Sequence, residues 1–314
     1  MKKTSIGGQA VMEGVMMKNL EKYAVAVRKP NKEIEIKKGE YRSLSERVPV
    51  LGLPILRGVV AFGESLYIGM KTLSYSAEFF EEEEDVKPGR IETFLTKVFG
   101  DKLESILMAF TIMLSVVLAV GIFMILPFFL SHLLRGVISS YSIRTLIEGV
   151  IRVLIFFLYL LMITKMEEIN RVFMYHGAEH KTINCLEHGE ELTPENISRH
   201  SRLHKRCGTS FMLIVMIVSI VVFMFIRADS LLWRFLLRIL LVPLVAGISY
   251  EFIRLAGRSQ SPIVDRLSRP GMCLQYFTTR EPDRDMLEVA VAAVEGVFDW
   301  RAYLEAMHRG ELED

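Results

Sequence analysis

The feature that most constrains this chain is an uncharged apolar run from Ile106 to Leu130, ILMAFTIMLSVVLAVGIFMILPFFL. A hydrocarbon core about 30 Å thick takes about 20 helical residues to cross, and a helix satisfies its own backbone hydrogen bonds while doing so. The run is long enough. A second uncharged run, Phe211 to Ile226, is shorter and extends over Thr209 and Ser210. Each is followed by an apolar segment that carries charges: Ile143 to Ile163 with Arg144, Glu148 and Arg152, and Leu231 to Tyr250 with Arg234, Arg238 and Pro243. This alternation predicts two helical hairpins and four spans. A chain that is 51% hydrophobic agrees with a lipid-embedded portion.

Loop charge sets the orientation. The segment from Thr164 to Ser210 holds Lys165, Arg171, Lys181, Arg199, Arg202, Lys205 and Arg206, whereas the connections near 131–142 and 227–230 hold only Arg135 and Arg227. By the positive-inside rule the long loop and both termini are cytoplasmic. Met1 to Asn19 has basic residues but lacks the apolar core of a cleavable signal peptide. A net charge of +1 without a clustered basic excess gives no reason to expect nucleic acid. Within the spans, Glu148 and Arg152 are four residues apart and can pair, and Arg234 and Arg238 can snorkel toward the outer leaflet. A transport pathway is therefore the weaker use of those charges.

The remaining sequence divides around the spans. Residues 1–50 read as β-rich: KYAVAVR at 22–28 and EIEIK at 33–37 alternate with period two across a Pro30-Asn31 turn, and the glycine-interrupted stretch 7–17 offers a further strand. Residues 51–80 form an amphipathic interfacial helix, with Arg57, Glu64 and Lys71 seven apart on one face. Residues 81–104 are an acidic linker and juxtamembrane helix, and 105–163 the first hairpin. Residues 164–209 are a His-rich cytosolic loop, 210–250 the second hairpin, and 251–314 a C-terminal strand (Leu274 to Thr279) followed by a helix opened by Pro282-Asp283. In that helix Leu287, Val291, Val294 and Phe298 form an apolar stripe. Neither terminal piece is large enough to bury a core alone. The fold class expected is a predominantly α-helical polytopic membrane protein with about four transmembrane helices in two hairpins and a small cytosolic α+β unit beside the His-rich loop.

That loop contains His176, His180, His188, His200 and His204, five of the seven histidines. Tyr175-His176-Gly177-Ala178-Glu179-His180 has the order H-x-x-E-H, which on a helix puts both imidazoles on one face. Glu179 lies on the adjoining edge, where a carboxylate could act as general base, as in the inverted zincin motif. Thr193-Pro194-Glu195 is a helix start, and the helix it opens would carry His200, His204 and Cys207 on one face. Two helices of this kind could clamp one tetrahedral ion, with His188 and Glu187 as further ligands. Zinc heads the divalent transition metals these donors suit, and Fe, Mn or Co is compatible. Two plainer uses of the same residues exist: the basic side chains could meet lipid phosphates, or His176, His180, His204 and Cys207 could close a purely structural site. The three cysteines, Cys185, Cys207 and Cys273, form no C-x-x-C pair and read as free thiols or occasional ligands.

Several segments together carry a likeness to a known family. GGQAVMEGVMMKN at 7–19, YHGAEHKTINCLEHGEELTPEN at 175–196, HKRCGTSF at 204–211, PLVAGISYEFIR at 243–254 and the C-terminal TTREPDRDMLEVAVAAV resemble the YqhQ-like family of bacterial integral membrane proteins. The resemblance covers almost the whole chain, and it implies the family's fold and bacterial membrane location. It also carries the family's designation as a metal-dependent enzyme and its domain of unknown function, with no established substrate.

Two functions follow as expectations. The first is a metal-dependent hydrolase at the cytoplasmic face of the bacterial membrane: His176 and His180 bind zinc, His204 or Cys207 (with His200 in reserve) completes the ligands, and Glu179 activates the attacking water. Its substrate would be a membrane-protein segment, a peptide or a lipid headgroup. The third ligand of inverted zincins, a Glu on a distant helix, has no obvious counterpart. The second is a non-enzymatic membrane factor docking a translocation or ribosome-associated partner, with a structural metal or none.

Overall fold

The computed structural model describes residues 4–80, 100, 103–226, 230–259 and 261–311. The acidic linker expected within 81–104 lies almost wholly outside the described residues, as does Arg227. The described residues are mostly helical, with one small antiparallel sheet, and the chain falls into two compact units, residues 81–158 and residues 1–80 with 159–314. Among the described residues, Ile106–Gly136, Tyr141–Ile163 and Leu232–Gly257 are long and apolar enough to cross a membrane. Gly208–Met224 is apolar but shorter, 17 residues. At about 1.5 Å per residue it reaches about 25 Å, short of a full hydrocarbon core. This is a helical membrane protein with a small α+β unit.

In the unit of residues 81–158, α2 (Leu103–Val120) runs through a π-helical turn at Gly121–Ile125 into α3 (Leu126–Leu133), and α4 (Tyr141–Ile163) begins after a short connection. Arg152 pairs with Glu148 at 2.9 Å and donates from Nε to the Phe123 carbonyl at 2.9 Å. Pro127, four residues on from Phe123, has no N–H to offer that carbonyl in a helical ladder, and the arginine donates to it.

The other unit begins with a four-stranded meander: β1 (Ile6–Val11), β2 (Gly14–Asn19), β3 (Lys22–Arg28) and β4 (Ile34–Glu40), each antiparallel to the next. The glycine-interrupted stretch thus forms two strands, folded over at Met12-Glu13. Both faces of the sheet are covered. On one, Ile6, Val15, Met17, Ala24 and Ala26 join Tyr175, Ala178, Ile183 and Leu186 of α5 (Glu167–Glu187) and Met286, Leu287, Ala290 and Val294 of α11 (Arg284–Glu295). On the other, Val11, Tyr23, Val25 and Val27 pack with Ile68 of α1 (Leu56–Ala77). The alanines of β3 are small because α11 approaches closely there; a Cβ on Gly296 would stand 2.5 Å from that of Ala24. The expected α+β unit is therefore one core, built from both terminal pieces and the His-rich segment.

Two expectations about α1 and the C-terminal region change. The charges of α1 do not share one role: Arg57 pairs with Glu251, Glu64 is buried and accepts from Ser43 and the Leu44 amide, and only Lys71 is exposed. The strand expected at Leu274 to Thr279 is the end of a helix, α10 (Pro262–Thr278). Tertiary packing overrides its β-prone residues, because Leu274, Gln275 and Thr278 recur at helical spacing and are all buried. The second hairpin consists of α7 (Gly208–Met224), then α8 (Leu231–Leu240) and α9 (Val242–Arg258), separated at Leu241 just before Pro243. The chain closes with α12 (Trp300–His308).

Candidate metal centre

Helix α5 opens with Glu167 and Glu168, which suit the positive end of its dipole, and it carries the H-x-x-E-H residues through its buried middle. His176 and His180 are one turn apart, their ring centroids 4.4 Å from each other. Each Nδ1 faces a backbone carbonyl: Thr278 at 2.8 Å for His176 and Arg202 at 2.7 Å for His180. A carbonyl only accepts, so each Nδ1 carries a hydrogen, and Nε2 is the ring atom left to face a metal. That is the arrangement metal-ligating histidines use.

The third member arrives by a different route from the one expected. The helix started by Thr193-Pro194 is short, α6 (Pro194–Arg199), and His200 already has extended backbone. His200, His204 and Cys207 therefore share no helical face. The cause is competition for carbonyls: Asn184 of α5 donates to those of Ser201 at 2.7 Å and Leu203 at 3.0 Å, and His180 takes that of Arg202. Those groups are thereby removed from a helical ladder. The chain runs irregularly to Cys207, which is the N-cap of α7 and accepts from the Thr209 amide at 3.4 Å. Its Sγ lies 3.2 Å from His176 Nε2. The ligand atoms of His176, His180 and Cys207 all fall within 4.8 Å of one another.

The structure sorts the remaining candidates. His204 is buried beside the trio, its ring 5.7 Å from that of His180, but its Nε2 turns to Glu187 at 3.7 Å. Gln275 clamps its backbone, accepting from its amide at 2.8 Å and donating to its carbonyl at 2.7 Å. His200 is not part of the group; its Nε2 lies 3.4 Å from Glu190 and its ring 4.9 Å from that of His188. Glu179 is buried next to the trio, hydrogen-bonded by the Gly8 amide of β1, and its Oε2 has no hydrogen-bond partner. Glu187 also leaves the ligand set: it accepts from the Thr4 amide at 2.9 Å and pairs with Arg206.

Charge follows from this packing. Burial alone would raise the Cys207 thiol, yet the fields of His176 and His180 overcome it and hold the sulfur well below its ordinary value. Burial likewise opposes charge on His176, but the neighbouring Cys207 outweighs it and lifts the imidazole to about 9. Burial raises Glu179, only partly countered by His180 and His176. His204 is lowered by burial, against the pull of Glu187. For Glu187 burial pushes upward, and His204, Arg206 and the Thr4 amide together bring the carboxyl below its usual range. A thiolate at a helix N-terminus beside two imidazole Nε2 atoms, with the His176 Nε2 proton displaced on binding, is a donor set that would fit a soft divalent ion such as zinc. An unpartnered carboxylate oxygen at its edge adds a fourth polar group.

Three contributors to this site carry no sequence signal of their own: the carbonyls of Thr278 and Arg202, and Gln275. A fourth, Gly8, had one. Glycine inside a strand marks close approach, and a Cβ there would stand 2.9 Å from Glu179.

No solved structure matches this chain. It is 34% identical over 296 residues to "Uncharacterized protein YqhQ" of Bacillus subtilis (strain 168), an alignment covering 91% of this chain and 89% of that relative. The family model described as "Protein of unknown function (DUF1385)" matches residues 53–300. With a family model matching most of the chain and a relative 34% identical over 91% of it, the chain belongs to this DUF1385, YqhQ-like family.

Proposed function

We propose that this protein is a metal-dependent hydrolase at the cytoplasmic face of the bacterial plasma membrane, a multi-pass protein with its N- and C-terminal segments in the cytoplasm. The observation that carries the reading is the convergence of His176 Nε2, His180 Nε2 and Cys207 Sγ with both Nδ1 atoms held by carbonyls. When bound there, zinc supplies Lewis-acid charge, which in the best-known cases lowers the pKa of water to about 7.

The chain's own residues supply the rest. Thr278 and Arg202 fix the two imidazole planes, so binding needs no ring reorientation. Glu179, anchored at one oxygen by Gly8, takes the proton of the attacking water on Oε2, and burial helps it hold that proton. His176 alone of the trio keeps part of its surface exposed, so substrate approaches from its side. Cys207 caps the apolar helix α7, which supports a location of the centre near the lipid boundary. The substrate class this favours is one presented at that boundary: a membrane-protein segment, a peptide or a lipid headgroup.

The burial of His180 and Cys207 supports a second reading, a docking factor whose metal is structural. Metal content by plasma mass spectrometry, in wild type and in the His176→Ala/His180→Ala variant, tests the site. Glu179→Gln separates the readings: metal retained with function lost in cells supports the hydrolase, whereas an unchanged phenotype favours the docking factor.

A further inference from the structure

A second group of donors lies at the far end of α5, outside the site just described. Cys185 Sγ, a Glu190 carboxylate oxygen and His200 Nε2 fall within 4.8 Å of one another. His200 Nε2 is buried and has no hydrogen-bond partner, although Glu190 Oε2 is only 3.4 Å away. Two polar atoms that close and poorly aligned are what an ion between them would leave. Zinc–ligand bonds of about 2.0–2.3 Å put neighbouring corners of a tetrahedron about 3.3–3.6 Å apart. His188, beside His200, donates Nδ1 to the Asn184 carbonyl at 2.6 Å, which leaves its Nε2 as a lone pair.

We propose that Cys185, Glu190 and His200, with His188 as the fourth donor, form a separate structural site for a divalent transition ion, zinc by the donor chemistry. Cys185 binds as thiolate, its proton passing to solvent. The site ties three pieces of chain together: the last turn of α5 through Cys185 and His188, the following turn through Glu190, and the exit from α6 through His200. Ser201, Arg202 and Leu203 come next, and their carbonyls hold Asn184 and His180. An ion here therefore pins the irregular strand that orients the first centre. Four ligands fill a tetrahedron and leave no open position, so the role is to hold, not to react.

Detergent-purified protein, prepared without chelators, reloaded with zinc and freed of excess, should carry two equivalents by plasma mass spectrometry. His200→Ala and Cys185→Ser should each carry one, His176→Ala/His180→Ala one, and the combination none. In cobalt-loaded protein, Cys185→Ser and Cys207→Ser should each remove about half of the thiolate-to-cobalt charge-transfer absorption. Glu190→Gln, at an exposed side chain, keeps the test free of folding defects and should weaken binding of one equivalent only. A single equivalent in wild type that His200→Ala leaves intact would overturn the proposal, as would two equivalents unaffected by both Cys185→Ser and His200→Ala. Loss of metal in His200→Ala but not in His176→Ala/His180→Ala would uphold this site while removing the hydrolase reading.

Discussion

Gly177 sits against the backbone carbonyl of Arg280 so closely that an added Cβ would lie 2.0 Å from that oxygen. The glycine weakens α5 by its intrinsic propensity, yet it is the residue that lets the 279–281 segment dock, with Arg280 donating to the Phe173 carbonyl at 2.8 Å. Gly177→Ala gains about 1 kcal/mol of helix propensity. It then has to move a backbone that cannot rotate aside, and overpacking costs about 1–3 kcal/mol. Net destabilisation is expected, read as a lower midpoint in thermal unfolding of the detergent-solubilised protein.

Asn184→Ala removes two hydrogen bonds to the strand that leads to Cys207. Losing these two part-buried bonds should cost about 1–3 kcal/mol. Because the same strand fixes His180 through Arg202, zinc affinity should fall together with stability, measured by competition with a chromophoric chelator.

Gly8→Ala acts on Glu179 from across the sheet. The new methyl meets Glu179 Cγ and Cδ at 2.9 Å and the Met16 carbonyl at 2.8 Å, so the carboxylate must shift. Metal content should stay near that of wild type while the in-cell function drops toward the Glu179→Gln level. A phenotype like wild type would show that the position of this carboxylate is immaterial.

Acid stability should depend on Glu187. Its folded value lies below the ordinary 4.5, so its contribution is complete above about pH 4.5 and is lost as pH falls through the folded value. In metal-free protein, Glu187→Gln should be less stable at neutral pH by about 1.5–3 kcal/mol, typical of hydrogen bonds to a charged group. The gap should narrow as the solution is acidified. Denaturant titrations at a series of pH values check both limbs.

Much of this architecture is legible from hydropathy and periodicity. The four apolar segments appear as helices, and the KYAVAVR strand and the H-x-x-E-H helix lie where period two and period four place them. The failures share a cause. His200 to Cys207 looks helical by spacing, but side chains from α5 take its carbonyls, and no local pattern encodes a distant donor. The end of α10 looks like a strand because Tyr276, Phe277 and Thr278 favour one in isolation, whereas Gln275 is held by His204 and Ser210. Of the site, the residue types and the pair His176–His180 could be read in advance. Which of the later donors would join them could not, since that is decided by where an irregular strand stops.

Glu179 rests on Gly8, and His176 on Thr278. At ribosomal speeds of about 5–20 residues per second, the ends of that bracket emerge roughly 14–54 s apart. A nascent chain has the sheet that seats Glu179 from the start, and it can form α5 before it has the Thr278 carbonyl that sets His176. The centre thus matures as a late event of biogenesis, and a truncated or stalled chain is a membrane-bound precursor without a formed ion site.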